Sequence, residues 1–370
     1  MFRNFFIVFI EIFWLTGCAS NLSTSKEEDL VTKFDLGNEQ MAKFKTVQNM
    51  GSEPEQNAPV EANEKINPDK NKVSEVQDQK ATGQNVEMQA SDQPESDEEV
   101  IEETPEKIDM PAGYPEAYVA YDARFKEMWS LFKPVFFVGE EFTMSIKYLG
   151  LNAGTAYITT MEPVLMGDKK VWHIKAKLKS ADYYKYIYQL DDTIESYIST
   201  ESFLPLKYQL IQRESAQEID DLQLFDAEKL KTFFWYRRLK RGILNKQEQS
   251  NHMPKYIQDS FSALYFARGL PLVKGVVYEY PVVTRAKIWI IKLEVVAREE
   301  LTFKKSKIMA LKLKAETRFP GILKKKGDIN FWISDDEKRL FLKFNAKVKI
   351  GSISGDLLDY RGPGEKGLKH

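Results

Sequence analysis

Three pairs of adjacent carboxylates are the residues most suggestive of acid–base chemistry: Asp191-Asp192, Asp220-Asp221 and Asp335-Asp336. Two carboxyl groups held close together can divide the roles of general acid and general base between them. Neighbouring residues of a strand, however, point to opposite faces of a sheet, and neighbours in a turn face solvent. We therefore expect none of the three to be a catalytic pair.

Nucleophilic and metal-dependent chemistry also lack the spacings that they require. The three histidines, His173, His252 and His370, lie far apart, and neither His-Glu-x-x-His nor Cys-x-x-Cys occurs. A nucleophile turn of the form Gly-x-Ser-x-Gly at residues 351–355 would need serine where Ile353 stands. The sequence predicts no catalytic residue, no metal ligand and no cofactor, and hence a protein that is not an enzyme.

The single cysteine, Cys18, stands at the end of an apolar N-terminal run. Residues 1–17 combine Arg3 with this run and read as a signal peptide. The sequence Leu15-Thr16-Gly17-Cys18 resembles the lipobox of bacterial lipoproteins, which implies cleavage between Gly17 and Cys18 and acylation of the thiol with chains such as palmitate. The alternative is an ordinary signal peptide that ends in a small residue.

An acylated Cys18 would anchor the protein stably, because two or more chains hold a protein to a bilayer far better than one. Ala19 follows the cysteine, whereas Asp at this place often retains lipoproteins in the inner membrane. The expected location is therefore the outer membrane, with the protein facing the periplasm.

Residues 18–110 differ in composition from the rest of the chain. No aromatic residue occurs between Lys45 and Pro111, and residues 18–110 as a whole contain 22 acidic residues and nine lysines. Such a segment buries too little apolar surface to offset the entropy of ordering, so it is predicted to be a disordered acidic linker with a mean reach of about 55 Å. Residues 111–370, the predicted domain, are correspondingly basic.

Alternation with a period of two dominates residues 111–370. Apolar side chains alternate with lysines in residues 172–179, 309–315 and 344–350. Strands with one solvent-exposed face and one buried face are typical of antiparallel sheets. Helices are predicted at Tyr118–Phe132 and at Ile257–Gly269, the second with Asp259 as N-cap and Gly269 just after its end. The predicted fold is mainly β: an antiparallel curved sheet, an open barrel or a sandwich, with one or two short helices.

Several segments in this region resemble the bacterial exported family known as domain of unknown function 3108. They are Val138 to Phe142 with Ala153 to Ala156, Phe203 to Tyr208, Gln258 to Arg268, and Trp332 to Asp336. The resemblance covers roughly residues 136–360. It implies a periplasmic β-rich domain and implies no activity or functional residue.

Candidate ligand-binding residues are Tyr184, Tyr186 and Tyr188, which alternate along one expected strand face, and Arg268 on the second helix. Phenols offer flat apolar area with a hydroxyl, which suits an amphipathic ligand. The alternatives are a tyrosine stripe on the sheet and an arginine paired with a carboxylate. Basic residues also cluster at 237–241, 304–307 and 324–326.

Taken together, the sequence favours a non-enzymatic lipoprotein that binds an amphipathic or anionic envelope component, such as a lipid, lipopolysaccharide or a cell-wall polymer. A second hypothesis is a structural or assembly module that docks on an envelope protein or on the cell wall, and a third is an envelope hydrolase. Nucleic acid is not an expected partner for a domain outside the cytoplasm.

Overall fold

The computed structural model describes residues 29–36, 39–47, 110–186, 188–318, 328–347 and 351–362. The predicted signal peptide with Cys18, most of the predicted linker, the basic cluster at 324–326 and His370 lie outside these residues. The chain divides into two compact units, residues 1–49 with 111–370 and residues 50–110, and the second is described only at Met110. The fold belongs to the first unit.

The described strands form one sixteen-stranded sheet. Their bounds are β1 (Thr46–Val47), β2 (Glu141–Tyr148), β3 (Leu151–Met166), β4 (Lys169–Ser180), β5 (Asp191–Ser199), β6 (Pro205–Glu214), β7 (Gln217–Asp226), β8 (Lys231–Lys240), β9 (Ile243–His252), β10 (Gln258–Asp259), β11 (Val277–Thr284), β12 (Lys287–Phe303), β13 (Ser306–Arg318), β14 (Asp328–Ser334), β15 (Phe341–Lys347) and β16 (Ser352–Arg361). The described helices are α1 (Leu30–Lys33), α2 (Glu39–Ala42), α3 (Glu116–Ser130) and α4 (Ser262–Arg268).

The strand order is β10-β11-β12-β13-β14-β15-β16-β2-β3-β4-β5-β6-β7-β8-β9, and β1 pairs with β3 beside this path. Neighbouring strands are antiparallel except β10 and β11, which run parallel. The chain therefore meanders from β2 to β9, returns through α4, and places β16 beside β2. The predicted mainly β, antiparallel class is confirmed, in the form of one open sheet.

The alternation seen in the sequence decides which side chains enter the core. In β4, Ile174, Ala176 and Leu178 are buried, and Lys175 and Lys177 between them are partly exposed. We call the face that carries these three apolar residues the inner face, and the opposite one the outer face. The inner faces of β2–β5 and β11–β15 form one apolar core together with α3 and α4.

The two ends of the sheet meet across the inner face. Asp259 of β10 accepts a hydrogen bond from Ser196 Oγ on β5, and Gln258 Nε2 donates to the carbonyl of Phe203 at 3.0 Å. In the turn between β11 and β12, Arg285 Nε donates to Asp221 on β7 at 2.9 Å. Because β10–β12 and β5–β7 are far apart in the strand order, these contacts require a strongly curved sheet.

A segment of the predicted linker is folded onto the outer face, which corrects the expectation of disorder there. Residues 29–36 and 39–47, which we call the strap, bury Leu30, Val31, Met41 and Phe44 against outer-face side chains of β3–β8. Strand β1 adds to the sheet by pairing with the last two residues of β3. The composition of the strap gave no sign of this packing, because the surface that it covers is supplied by strands distant in sequence.

The two predicted helices are present, with different ends. Helix α3 agrees with the predicted segment to within two residues at each end. Helix α4 begins only at Ser262, because Gln258 and Asp259 are extended in β10. Gly269 follows α4 with a φ of −85°, so it is not a left-handed cap; instead, a Cβ at this position would lie 2.4 Å from the carbonyl oxygen of Lys133. Glycine thus permits close approach of the segment after α3 to the end of α4.

Candidate functional site

Helix α4 lies across the inner face and is held at its N-terminal end by Asp259. One carboxylate oxygen of Asp259 accepts hydrogen bonds from the backbone N–H groups of Phe261 (2.7 Å) and Ser262 (2.8 Å). The Asp259 N–H in turn donates to Ser262 Oγ at 2.9 Å. Burial raises the pKa of Asp259, against the lowering effect of these hydrogen bonds and that of Ser196. The predicted N-cap residue therefore stabilises the start of α4 from within β10.

At the C-terminal end of α4, Arg268 forms a buried ion pair. Its two terminal nitrogens donate to the carboxylate of Glu140 at 2.8 and 2.7 Å, and both side chains are fully buried. The guanidinium also donates to the carbonyls of Arg339 (2.9 Å) and Lys338 (3.0 Å) in the turn between β14 and β15. This side chain thus links α4, the start of β2 and that turn.

Aromatic rings complete the environment of Arg268. The guanidinium carbon lies 5.1, 5.4 and 4.9 Å from the ring centroids of Phe142, Tyr265 and Phe341. Rings at these distances attract the cation and exclude water from the ion pair. The geometry matches the paired-arginine alternative of the sequence analysis; the prediction that Arg268 binds a ligand has no direct support in these contacts.

An apolar cavity of about 180 Å³ lies between α4 and the sheet. Ala263 and Leu264 of α4, with Phe261 before it, form one wall. Inner-face side chains of β2–β5 and β11–β15 form the others. Four alanines are among them, one each from β3, β4, β13 and β15: Ala156, Ala176, Ala315 and Ala346. Small side chains on four strands leave the space that larger residues would fill.

The polar side chains in the cavity walls are Ser260, Tyr280, Thr317 and Lys343. The hydroxyl of Tyr280 is directed to the carbonyl of Ala263 at 3.3 Å. Thr317 is buried in the wall, and its Oγ1 has no hydrogen-bond partner among the described residues. A buried hydroxyl without a partner is costly. Thr317 therefore stands to gain a hydrogen bond from a polar atom of a bound molecule.

The tyrosine stripe predicted as a strand face is wrong. Residues 184–186 form a 3₁₀ turn in the loop between β4 and β5, so that Tyr184, Tyr186 and Tyr188 do not share one face. Tyr188 is buried and its hydroxyl donates to Glu214 at 2.6 Å, whereas Tyr186 is almost fully exposed. None of the three lines the cavity.

The adjacent carboxylates are separated as expected. Asp220 lies on the outer face and pairs with Arg213 and Arg237 at 2.8 and 3.0 Å, while Asp221 lies on the inner face beside Arg285. Asp191 pairs with Lys177 at 2.8 Å, and Asp192 is buried, so that desolvation raises its pKa to about 6 in spite of hydrogen bonds from the Gln212 amide and the Arg213 N–H. Each of these four carboxylates thus has ion-pair or hydrogen-bond partners within the chain.

The third pair lies in the turn after β14. There, one carboxylate oxygen of Asp336 accepts hydrogen bonds from the Ser334 hydroxyl (2.7 Å) and from the backbone N–H groups of Lys338 and Arg339. Its neighbour Asp335 pairs with Arg298. The two carboxylates have different partners, as expected for neighbours in a turn.

The basic clusters inside the described residues are largely paired within the chain. Besides Arg237, Arg238 donates to the amide oxygen of Gln217, Lys304 pairs with Asp359, and Lys307 pairs with Glu300 at 2.7 Å. A second cavity, of about 320 Å³, lies beside the strap and is lined by charged residues that include Lys43, Lys169, Asp226 and Glu228. Three ion pairs join these four side chains.

Within the described ranges, no group of three or more His, Cys, Asp or Glu residues is placed to hold a metal ion. Of the helices that the structure describes, none is long and apolar enough to cross a membrane.

Comparison with known proteins identifies a family. The family described as Protein of unknown function (DUF3108) matches residues 141–358, more than half of the chain. No curated protein matches the sequence significantly.

Solved structures show weak similarity. A β-barrel-like protein of the domain-of-unknown-function family DUF1849 from Brucella abortus has 8% identity and a TM-score of 0.39, covering 61% of this chain and 98% of its own. A candidate lipoprotein from Parabacteroides distasonis has 8% identity and a TM-score of 0.28, covering 62% of this chain and 98% of its own. With TM-scores this low, neither structure bears on function.

Proposed function

The chain belongs to the DUF3108 family of proteins of unknown function, and because that family implies no activity, we propose a function from the cavity and the leader sequence. The protein is a lipid-anchored component of the bacterial envelope. Its β-rich domain binds the apolar part of an amphipathic molecule in the cavity beneath α4, without catalysing a reaction.

The apolar cavity is the observation that carries this proposal. Empty cavities lined by aliphatic and aromatic side chains stay dry and take up apolar molecules, and one of about 150 Å³ holds a benzene ring. The cavity of about 180 Å³ thus has room for a ring or for a chain segment of about six carbons. The unpartnered hydroxyl of Thr317 suits a molecule with a polar atom at one end.

The polar groups at both ends of α4 support a binding site of fixed shape. Asp259 holds the N-terminal end and the Arg268–Glu140 pair holds the C-terminal end. Because these contacts set the position of the helix, α4 does not have to sink into the space below it. A site that is preformed in this way loses little entropy when a ligand binds.

Binding is tested by filling the cavity. We expect Ala315→Leu to weaken the binding of 1-octanol by about tenfold, because the added carbons occupy the ligand space. The matched control is Ala297→Leu, which adds the same carbons to a partly buried position on β12 outside the cavity. Isothermal titration calorimetry measures both; equal affinities in the two variants would contradict the proposal.

The natural ligand is sought by extracting the purified protein with organic solvent and analysing the extract by mass spectrometry. An empty domain that neither binds octanol nor yields a lipid would favour the second hypothesis, a module that docks on an envelope protein. The hydrolase hypothesis gains nothing from the carboxylate pairs, because each carboxylate has its own structural partners.

The location proposed is the outer membrane, with Cys18 as the acylated N-terminal residue. Its support is the lipobox-like sequence before Cys18 and the alanine after it. We expect Cys18→Ala to leave the β-rich domain folded and to remove it from the membrane fraction. If the variant stays with membranes after a high-salt wash, the lipid anchor is wrong, whatever the cavity binds.

A further inference from the structure

Beside the β2–β3 turn and in the β4–β5 loop, one end of the sheet exposes four large apolar or aromatic side chains. Leu149 in the turn between β2 and β3 and Leu151 at the start of β3 are 58% and 69% exposed, and Tyr183 and Tyr186 in the loop between β4 and β5 are 59% and 86% exposed. We call these four residues the rim. Single exposed apolar residues are ordinary, whereas a group of them marks a contact surface.

The rim residues belong to one continuous surface. The hydroxyl of Tyr183 donates to the carbonyl of Asn152, and the N–H of Ala181 donates to the carbonyl of Ala153 at 3.0 Å, so the β4–β5 loop is joined by hydrogen bonds to the start of β3. On the other side, the N–H of Leu149 donates to the carbonyl of Ser352 at 3.2 Å at the start of β16.

The rim lies at the end of the sheet nearest to the cavity. Ile146 lines the cavity three residues before Leu149, and Leu178 lines it five residues before Tyr183. Ala346 and Thr317 line it from the ends of β15 and β13, which point to the same end of the sheet. A molecule that approaches the cavity from this end passes the rim.

The chemistry of the rim suits a lipid surface better than a charged partner. Tyrosine rings carry an apolar face and a hydroxyl, a combination that is enriched where membranes meet water, and leucine inserts among acyl chains. The nearby charges are mixed, since Lys179 and Lys347 are exposed, Asp182 is also exposed, and Lys147 pairs with Asp356 at 2.7 Å. Binding of the rim to a bilayer would therefore depend on insertion of its apolar side chains and only weakly on the salt concentration.

The strap brings the predicted anchor within reach of the same surface. Asp29 pairs with Lys207 at 2.9 Å, and the strand pairing places Lys207 level with His173 on β4. From His173 the rim end of β4 at Ser180 is seven residues away, or about 23 Å. The eleven residues from Cys18 to Asp29 span at most about 40 Å.

We propose that the rim docks on the surface of a lipid bilayer and so presents the cavity to the membrane from which its ligand comes. This inference deepens the proposed function and rests on it for the identity of the ligand as a membrane component. Docking itself is a separate property, and it can be measured without any ligand in the cavity.

The test uses the chain from residue 18 to His370 with Cys18→Ala, which contains all described residues and lacks the leader and the lipid. Flotation with vesicles of phosphatidylethanolamine and phosphatidylglycerol measures docking. We expect the double variant Leu151→Asp/Tyr186→Asp to bind at least about tenfold more weakly, because charges replace inserted apolar surface. Val273→Asp is the control, since Val273 is 61% exposed in a loop outside the rim.

Failure of docking and failure of ligand binding are distinguishable. Ala315→Leu should still float with vesicles, and the rim variant should still bind octanol in solution. Near-ultraviolet circular dichroism of the rim variant, and flotation of the milder variant Leu151→Ser, exclude misfolding as the cause of lost flotation. The proposal is overturned if the parent chain does not float, or if the rim variant and Val273→Asp float equally well. If the variants float as expected but no octanol binds, membrane docking by the rim is supported and the proposed ligand site is wrong.

Discussion

The inner and outer faces of the sheet are covered in different ways. On the inner face, a seven-residue helix is fixed by polar contacts at both ends and leaves a cavity beneath it. On the outer face, the strap packs Leu30 and Phe44 directly against the sheet, and Lys207 is buried under it with Asp29 as partner. The inner-face cover encloses an apolar cavity, whereas the outer-face cover places its apolar side chains directly on the sheet and leaves a cavity lined by charged residues beside them.

The two covers also differ in their relation to the family. Helix α4 and the cavity walls lie within residues 141–358, the part of the chain that matches DUF3108, whereas the strap lies outside it. A helix held by its ends can keep a space open because its position does not depend on close packing below. The inner face therefore carries the proposed ligand site, and the outer face carries the packed N-terminal segment.

The largest effect is expected from removing the buried ion pair of the inner cover. Arg268→Ala leaves Glu140 buried without a cation and should lower the free energy of unfolding by about 3–5 kcal/mol, measured by urea denaturation. Arg298→Ala, which breaks an exposed pair with Asp335, should cost less than about 1 kcal/mol. Similar losses in the two variants would show that α4 is not held by its end.

On the outer face, the free energy of unfolding should fall at acid pH because of Glu195. Burial by itself raises the pKa of this carboxyl, but the hydrogen bond and charge of His173, the charge of Lys175 and the amide of Gln209 outweigh it and lower the pKa to about 2. A depressed pKa adds stability above the unfolded value of 4.5, which is lost as the pH falls from about 4.5 towards 2.

The loss amounts to about 3 kcal/mol. It should appear as a shrinking difference in the free energy of unfolding between the wild type and Glu195→Gln as the pH falls through this range. Gln209 also accepts the N–H of Leu30 at 3.2 Å, so the acid-sensitive contact continues into the strap. A difference that stays constant with pH would show that Glu195 has no depressed pKa.

A local effect is expected when one apolar contact of the strap is removed. Leu30→Ala deletes a fully buried side chain and should destabilise the packing of the strap by about 2 kcal/mol. Hydrogen exchange of residues 30–36 should accelerate, while exchange in residues 174–178 of β4 stays slow. The exposed neighbour Thr32→Ala is the control, and equal acceleration in both segments would mean that the strap and the sheet unfold together.

The smallest expected effect concerns the cavity wall. Thr317→Val replaces an unpartnered hydroxyl with a methyl group and should raise the free energy of unfolding by up to about 1 kcal/mol. Thr232→Val should lower it, because Thr232 Oγ1 donates to the carbonyl of Leu224 and accepts from Gln223. Calorimetric melting compares the two; a loss in both would indicate that Thr317 has a partner in solution.

The strands and the family were predictable because both depend on local order in the sequence. Ile174, Ala176 and Leu178 alternate with lysines, and the strand that they form is buried on one side as that pattern requires. The same pattern gave a weak indication of the cavity, because Ala176, Ala315 and Ala346 occupy buried positions where the neighbouring strands have Leu or Ile. Whether small residues meet across a curved sheet depends on strand order, which periodicity does not contain.

The errors arose where distant residues decide the outcome. Leu30 and Phe44 stand in a polar, acidic stretch, and their burial depends on side chains of β3–β8 that no local property indicates. The tyrosines of residues 183–188 alternate like a strand, but the N–H of Tyr188 donates to the carbonyl of Tyr184 at 2.8 Å and closes a turn. The partner of Arg268, Glu140, was missed because it lies in a different part of the sequence.

The strap has a further consequence for how the protein responds to proteases. The N-terminal segment is held on the domain by the pairing of β1 with β3 and by the Lys207–Asp29 ion pair, and the chain re-enters the domain at Pro111. A protease cut within residues 50–109 would therefore yield two fragments that remain associated and elute together in gel filtration. If Cys18 carries lipid, such cleavage would leave the β-rich domain on the membrane.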